Sequence, residues 1–296
     1  MKLARFTHGG RTRIGVVEGD EVADAGGADD RLPTDLRELL KDGAEGLEAA
    51  RRAAVRAKRL PSSEVRFEAP IGAPRKFLGL GLSFRSHLEE VKAKGVPIAI
   101  TPHQVWFNKQ VTAVNGPYDP IHLPRVSSQL DYEGEMAMVI GRRARHIRAA
   151  DAASVIAGFM VCNDVSVRDW QLRAPTSTLG KSFDTHSPIG PWLTTADEVP
   201  HPENVGIRTW VDGELRQDGA TSDFIYSLGE MIEELSTVFT LEPGDVLTTG
   251  SPTGIGALMD PPRFLTIGQV VRVEVEGLGH IENRVIEEPA GVHEPS

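Results

Sequence analysis

The chain has 296 residues and a formal net charge of −10, from 32 Lys and Arg against 42 Asp and Glu. Its hydrophobic and charged fractions, 40% and 25%, are those of an ordinary globular protein with a sizeable core. The acidic balance argues against nucleic acid or an anionic membrane as partner, so an anionic ligand requires a local basic cluster or a metal. Cys162 is the one cysteine, which rules out an intrachain disulfide and fits a reducing compartment. Residues 1–10 lack the apolar core of a signal peptide, and no stretch approaches the ~20 apolar residues of a membrane span. The expectation is a soluble, cytoplasmic protein.

Residues 3–7 and 14–18 read as two strands joined by the turn His8-Gly9-Gly10. Thr34 is placed to cap a short helix over 35–41, and the Ala-, Arg- and Glu-rich stretch 47–60 predicts a second helix that stops at Pro61. Pro61-Ser62-Ser63 is a candidate linker, giving a small N-terminal α+β domain over residues 1–64. A larger domain over 65–288 follows, with a frayed tail at 289–296. Apolar runs at 77–82, 136–141, 155–161, 205–211, 245–249, 270–276 and 280–286 alternate with turn residues and predict a mainly β core. Gly277-Leu278-Gly279 reads as a hairpin turn between the last two. Helices are expected at about 84–94, 165–173 and 227–239.

Four segments carry candidate chemistry. In Asp131-Tyr132-Glu133-Gly134-Glu135, strand alternation puts Glu133 and Glu135 on one face, where they repel unless a cation lies between them. Asp164, at the end of another apolar run, is a third candidate. Carboxylate oxygens without Cys or His suit Mg²⁺, Mn²⁺ or Ca²⁺ better than zinc. A solvated acidic strand is the competing reading. In the second segment Phe84, Leu88 and Val91 share a helix face, while His87 and Glu90 are neighbours three apart. Such a carboxylate raises the imidazole's basicity and fixes its tautomer, as a general base requires; a surface His beside a solvated Glu is the alternative. Ser83, or Ser86 with Glu89, is available as a cap for this helix. In the third segment, Lys181 in Gly180-Lys181-Ser182 is either a surface lysine or a partner for an enolate oxygen or substrate carboxylate. In the fourth, the Gly/Thr-rich segment 248–256 is able to present backbone N–H groups to a carboxylate, and it is not a P-loop. Cys162 reads as buried filler, and His186 has no evident partner.

Together and in this order these segments resemble the fumarylacetoacetate hydrolase superfamily, with acylpyruvate hydrolases and 2-hydroxyhepta-2,4-diene-1,7-dioate isomerases among its members. The resemblance spans residues 70–288 and includes Trp106-Phe107-Asn108-Lys109, 130–135, 163–171, 180–191 and 249–256. It implies a mixed β-roll with a metal site at one mouth, often a homodimer, and a small N-terminal domain. It further implies Glu133, Glu135 and Asp164 as metal ligands, Lys181 as the active-site lysine, and His87 with Glu90 as a dyad on a lid helix. Thr253 matches a position near the substrate carboxylate, and Arg85, Lys109 and Gln171 match the pocket wall. Ser83-Phe84, Ser86 and Gln110 depart from the family pattern at the lid and pocket wall, which bears on the substrate rather than on the metal. The activity implied is metal-dependent hydrolysis of a C–C bond in a 2,4-dioxo acid of acylpyruvate type, through an enolate held on the metal. Oxaloacetate decarboxylation, tautomerisation or isomerisation of an unsaturated 2-oxo diacid at the same site is the alternative, and a non-catalytic small-acid binder the third reading.

Overall fold

The computed structural model describes residues 1–95 and 102–291. Its centre is the strand Gly134–Ile140, every residue of which is buried. Met136, Met138 and Ile140 enter one hydrophobic cluster, while Ala137 and Val139 enter another. The antiparallel neighbour Ile156–Asn163 divides in the same way, Phe159 and Val161 to the first cluster and Met160 and Cys162 to the second. A period of two with both faces apolar is the pattern of a sheet covered on both sides, and it explains the near-continuous apolar runs.

The first cluster is closed by a five-stranded sheet in the order Glu214–Ala220, Gly206–Val211, Val270–Val275, Gly279–Glu287 and Ile121–Leu123. The helix Leu228–Val238 packs into the same cluster through Leu228, Met231, Ile232 and Leu235. Ser227 and Glu230 form a reciprocal capping box at its start. The second cluster is closed by the N-terminal helices through Leu36, Leu39, Leu40, Ala50 and Ala53. Among the described residues twelve strands share the central sheet, and Lys2–His8 joins it by pairing with Ser187–Thr195. The fold is therefore mainly β with mixed sheets and helical additions, as the sequence implied.

Several elements differ from expectation. The helix over Leu36–Lys41 is capped by Asp35, whose carboxylate accepts from Arg37 N, and not by Thr34. The next helix runs Gly43–Val55 and ends early, because Arg59–Pro61 forms an edge strand against Glu21–Ala23. Burial of Leu60 beside Phe6, Val17 and Val22 outweighs the helical propensity of the stretch. The helix expected over 165–173 is a two-residue strand, Ser166–Val167, and a single turn, Arg168–Gln171. The nine-residue strand Ser187–Thr195 was not among the expected strands. Its register with Ile156–Asn163 shifts between Phe159 and Val161, and Pro191 falls in that irregular stretch. A residue without an N–H is tolerated there. Residues 292–296 of the expected tail lie outside the described residues.

The strands Phe77–Gly81 and Val246–Thr248 run parallel, and each leads into a site segment. Asp245, fully buried, ties their starts together. It accepts from Lys76 Nζ at 2.8 Å, from Lys76 N at 3.1 Å and from Glu242 N at 2.8 Å. Asp245→Ala strips all three donors of their acceptor, and a stability loss of about 1.5–3 kcal/mol is expected, the range for hydrogen bonds to a charged group. Asp245→Asn keeps one carbonyl oxygen and loses less; urea denaturation of both variants measures the difference.

Candidate active site

Glu133, Glu135 and Asp164 converge at one end of the central strand pair. Gly134 pairs with Asn163, so the residues flanking that pair are brought side by side. Two further bonds hold the corner: Asp164 N donates to Glu133 O at 2.8 Å, and Glu133 N donates to Asn163 Oδ1 at 3.0 Å. One carboxylate oxygen from each of the three lies within 4.8 Å of the others, and all three residues are buried. So many like charges in a dry site are unfavourable unless cations answer them.

Three cations of the chain do so in part. Lys181 Nζ donates to Glu133 Oε2 at 2.5 Å and to Asp164 Oδ2 at 2.6 Å. Lys109 Nζ bonds Asp164 Oδ1, and Arg168 Nη1 stands 2.7 Å from Glu133 Oε1. Burial alone pushes the Glu133 carboxyl up, but Arg168 and then Lys181 overturn this and hold it well below the usual carboxylate range. Among the described residues no cation forms an ion pair with Glu135, and Lys181 acts on it only from a distance. Burial, then the charges of Asp164 and Glu133, push it well above the ordinary value, although Gly250 N donates to its Oε2 at 2.8 Å. Burial lowers the Lys181 ammonium, yet Asp164 and Glu133 keep it above its usual value. An all-oxygen donor set with unrelieved repulsion is what a hard divalent cation takes.

The helix Arg85–Ala93 carries the second group of residues. His87 Nδ1 and Glu90 Oε2 are 2.9 Å apart, and Glu90 Oε1 accepts from Gly254 N at 3.3 Å. Val91 is buried, as is Phe84 just before the helix, whereas Leu88, expected on the same face, is half-buried. Neither serine caps this helix: Ser83 Oγ donates to Thr249 O at 2.5 Å, and Ser86 bonds Asp223. The glycine-rich loop after Val246–Thr248 thus meets both groups. Its N–H donors serve the chain's own carboxylates: Gly250 on Glu135, Gly254 on Glu90, Gly256 and Ala257 on Asp131. Gly250 and Gly254 have φ of 83° and 99°, and a Cβ on either would sit 1.9 Å from Ser83 Oγ or Arg216 O respectively. Only glycine allows so close an approach.

This chain is similar to known proteins along nearly its whole length. Residues 76–286 match the family model for the fumarylacetoacetate (FAA) hydrolase C-terminal domain, and residues 1–43 match one described as Rv2993c-like, N-terminal. The chain belongs to the fumarylacetoacetate hydrolase family. Among relatives, the mitochondrial oxaloacetate tautomerase FAHD2B of Bos taurus is 40% identical over 293 residues, covering 97% of this chain and 92% of that one. Among solved structures, a fumarylacetoacetate hydrolase from Exiguobacterium antarcticum is 35% identical with a TM-score of 0.85, covering 97% of this chain and all of that chain. A maleylpyruvate hydrolase from Sphingobium sp. SYK-6, solved with manganese(II) and pyruvate, is 32% identical with a TM-score of 0.81. That match covers 98% of this chain and 100% of that one. The bovine relative's mitochondrial location differs from the cytoplasmic one expected here. Among the described residues no helix is long and apolar enough to cross a membrane.

With the family in hand, the remaining expected residues are found at three places. Gln171 Oε1 accepts from Arg168 Nη1 at 2.9 Å, beside Glu133. Thr253 is half-buried next to Gly254. Arg85 is exposed and donates to the Phe224 carbonyl at the base of the helix rather than to the carboxylate cluster. His186, read as lacking a partner, has one: its Nε2 is 2.8 Å from His122 O. Burial pushes this imidazole down to about 3, so it stays neutral. Cys162 is fully buried filler, as expected.

Sequence reasoning assigned no role to Arg168 or Asp131, both inside segments it had singled out. Asp131 is fully buried and accepts from Tyr132 N, Gly256 N, Ala257 N and Arg168 Nε, at 2.8–3.0 Å. Arg168 therefore spans Asp131 and Glu133, and its planar fork does what a lysine's point charge cannot. Arg168→Met leaves the buried Asp131 without its cation and Glu133 with Lys181 alone, and is expected to lower stability by about 3–5 kcal/mol. Arg168→Lys keeps the charge and loses less, as the urea midpoints of the two variants will report.

Proposed function

We propose that this chain is a divalent-cation-dependent enzyme that interconverts the keto and enol forms of oxaloacetate or a closely related 2-oxo acid. The observation that carries the reading is the buried convergence of Glu133, Glu135 and Asp164 within 4.8 Å, faced by Lys181 and Lys109. The 40% identity along 97% of the chain with a protein named oxaloacetate tautomerase supports this choice of reaction. The residues fit the cation: their oxygens are acceptors only, and the repulsion that raises Glu135 is what a dication relieves. Glu133, Glu135 and Asp164 would hold it, as Mg²⁺ or Mn²⁺, with Ca²⁺ also suited to such donors. When bound, it supplies Lewis-acid polarisation of a 2-oxo group.

The chain's own residues do the rest. Lys181 and Lys109 counter negative charge that develops on the oxo acid at the cluster. Glu90 on Nδ1 fixes the His87 tautomer and leaves Nε2 as the atom that exchanges a proton. His87 Nε2 takes the proton from C3 of the keto acid and returns it to the 2-oxygen, so the product is an isomer and no water is consumed. Gly254 N holds Glu90 against the loop whose Gly250 N binds Glu135, so the proton carrier and the carboxylate cluster share one support.

A second reading is hydrolytic cleavage of an acylpyruvate-type 2,4-dioxo acid. It is favoured by the same His87–Glu90 pair, which is equally suited to deprotonating water, and by the likeness to a maleylpyruvate hydrolase. One assay separates the two. Metal-stripped protein is offered oxaloacetate, acetylpyruvate and fumarylpyruvate, with and without Mg²⁺ or Mn²⁺, and products are followed by NMR. The expected result is metal-restored loss of the enol signal of oxaloacetate at constant mass, abolished in Glu133→Ala. His87→Ala is expected to slow it by about 10²–10⁴-fold, the usual worth of a general base. Two acids formed from acetylpyruvate, with no effect on oxaloacetate, would establish the second reading instead. Full rate in H87A would remove His87 from either mechanism.

A further inference from the structure

The helix that carries His87 and Glu90 begins without a cap of its own. Its flanking residue Phe84 makes no side-chain cap bond, which leaves the first-turn N–H groups to find partners elsewhere. The partner comes from a distant segment: Asp223 Oδ2 accepts from Ser86 N at 2.9 Å and from Ser86 Oγ at 2.5 Å. A carboxylate at this end also complements the helix dipole. Asp223 ends the short turn Thr221–Asp223, which is anchored to the rigid part of the molecule. Thr221 is buried, its N donates to Val205 O at 3.0 Å, and its Oγ1 accepts from Val205 N and donates to Pro202 O, both at 2.9 Å. Beside the cap, residues 83–85 are bound to 224–225. Ile225 N donates to Ser83 O at 2.7 Å, Phe84 bridges Phe224 with rings 4.9 Å apart, and Arg85 reaches the Phe224 carbonyl.

We infer that Asp223 is a positioning residue that caps the His87–Glu90 helix from outside and sets where His87 stands. It contacts no reacting atom and acts through Ser86, one residue before His87. The inference rests on the assignment of His87 as proton carrier, but its structural half does not.

The test uses the full chain with Asp223→Ala and Asp223→Asn, reading amide hydrogen exchange, melting temperature, and kcat and KM for oxaloacetate. In D223A, exchange at residues 86–90 should rise about 2- to 30-fold, the range that loss of a helix cap corresponds to. The melting temperature should stay near the wild-type value, kcat should fall by a similar factor, and KM should change little. D223N, whose side-chain oxygen still caps, should restore most of both. Ser86→Asp, which sets a second carboxylate against Asp223, should loosen the same amides. Unchanged exchange and kcat in D223A would overturn the inference, and so would exchange raised evenly across the chain, the mark of a merely structural role. If the wild-type enzyme turns over no oxaloacetate, the proposed activity falls, while the exchange data still decide whether Asp223 holds the helix.

Discussion

Mutual repulsion among buried carboxylates is the constraint on which the rest of this structure turns. Glu133, Glu135 and Asp164 share a buried corner, and Asp131 lies just beyond, joined to it through Arg168. Each neighbouring cation is placed by that demand: Lys181 bridges two of the carboxylates, Lys109 takes one, and Arg168 links the cluster to Asp131. Glu135 is answered least, by a backbone N–H rather than by an ammonium. The charge of the cluster is thus compensated at Glu133 and Asp164 and least at Glu135.

The sheet makes such a corner affordable. Gly134–Ile140 and Ile156–Asn163 are covered on both faces by apolar clusters, so their backbones are rigid and their ends are well defined. The polar residues sit where these strands stop. The glycine-rich loop then binds the ends together, with Gly250 on Glu135, Gly254 on Glu90, and Gly256 with Ala257 on Asp131. One loop therefore couples the carboxylate cluster, the His87–Glu90 pair and the Asp131–Arg168 pair. A displacement of it would move all three at once.

Periodicity carried much of this into view. Alternation along a strand put Glu133 beside Glu135, and a spacing of three put His87 beside Glu90; both pairs meet in space. Asp164 was legible because an apolar run ends just before it. What periodicity could not carry were partners supplied by loops and turns. Arg168 was hidden because a two-residue strand and a one-turn helix, rather than one long helix, present it to Glu133. Asp223 was hidden because it caps a helix 137 residues away in the chain. The strand Ser187–Thr195 escaped notice because it contains two prolines and a glycine, one of which, Pro191, sits where the register shifts. Local propensity likewise misjudged residues 56–60, where the burial of Leu60 decided the outcome.

The same geometry bears on which reaction such a site performs. Tautomerisation and hydrolysis share a polarised 2-oxo group, a counter-charge and a movable proton, so the carboxylates and lysines do not discriminate between them. On the proposed assignment, discrimination lies with the helix bearing His87, because hydrolysis needs a water beside the imidazole and tautomerisation does not. Here that helix is held at several points: by Glu90 to Gly254, by Ser83 to Thr249, and by Ser86 to Asp223. Residues 83–84 are further bound to Ile225 and Phe224. A helix tied down on this many sides, with His87 buried, supports the proposed proton transfer over the hydrolytic reading.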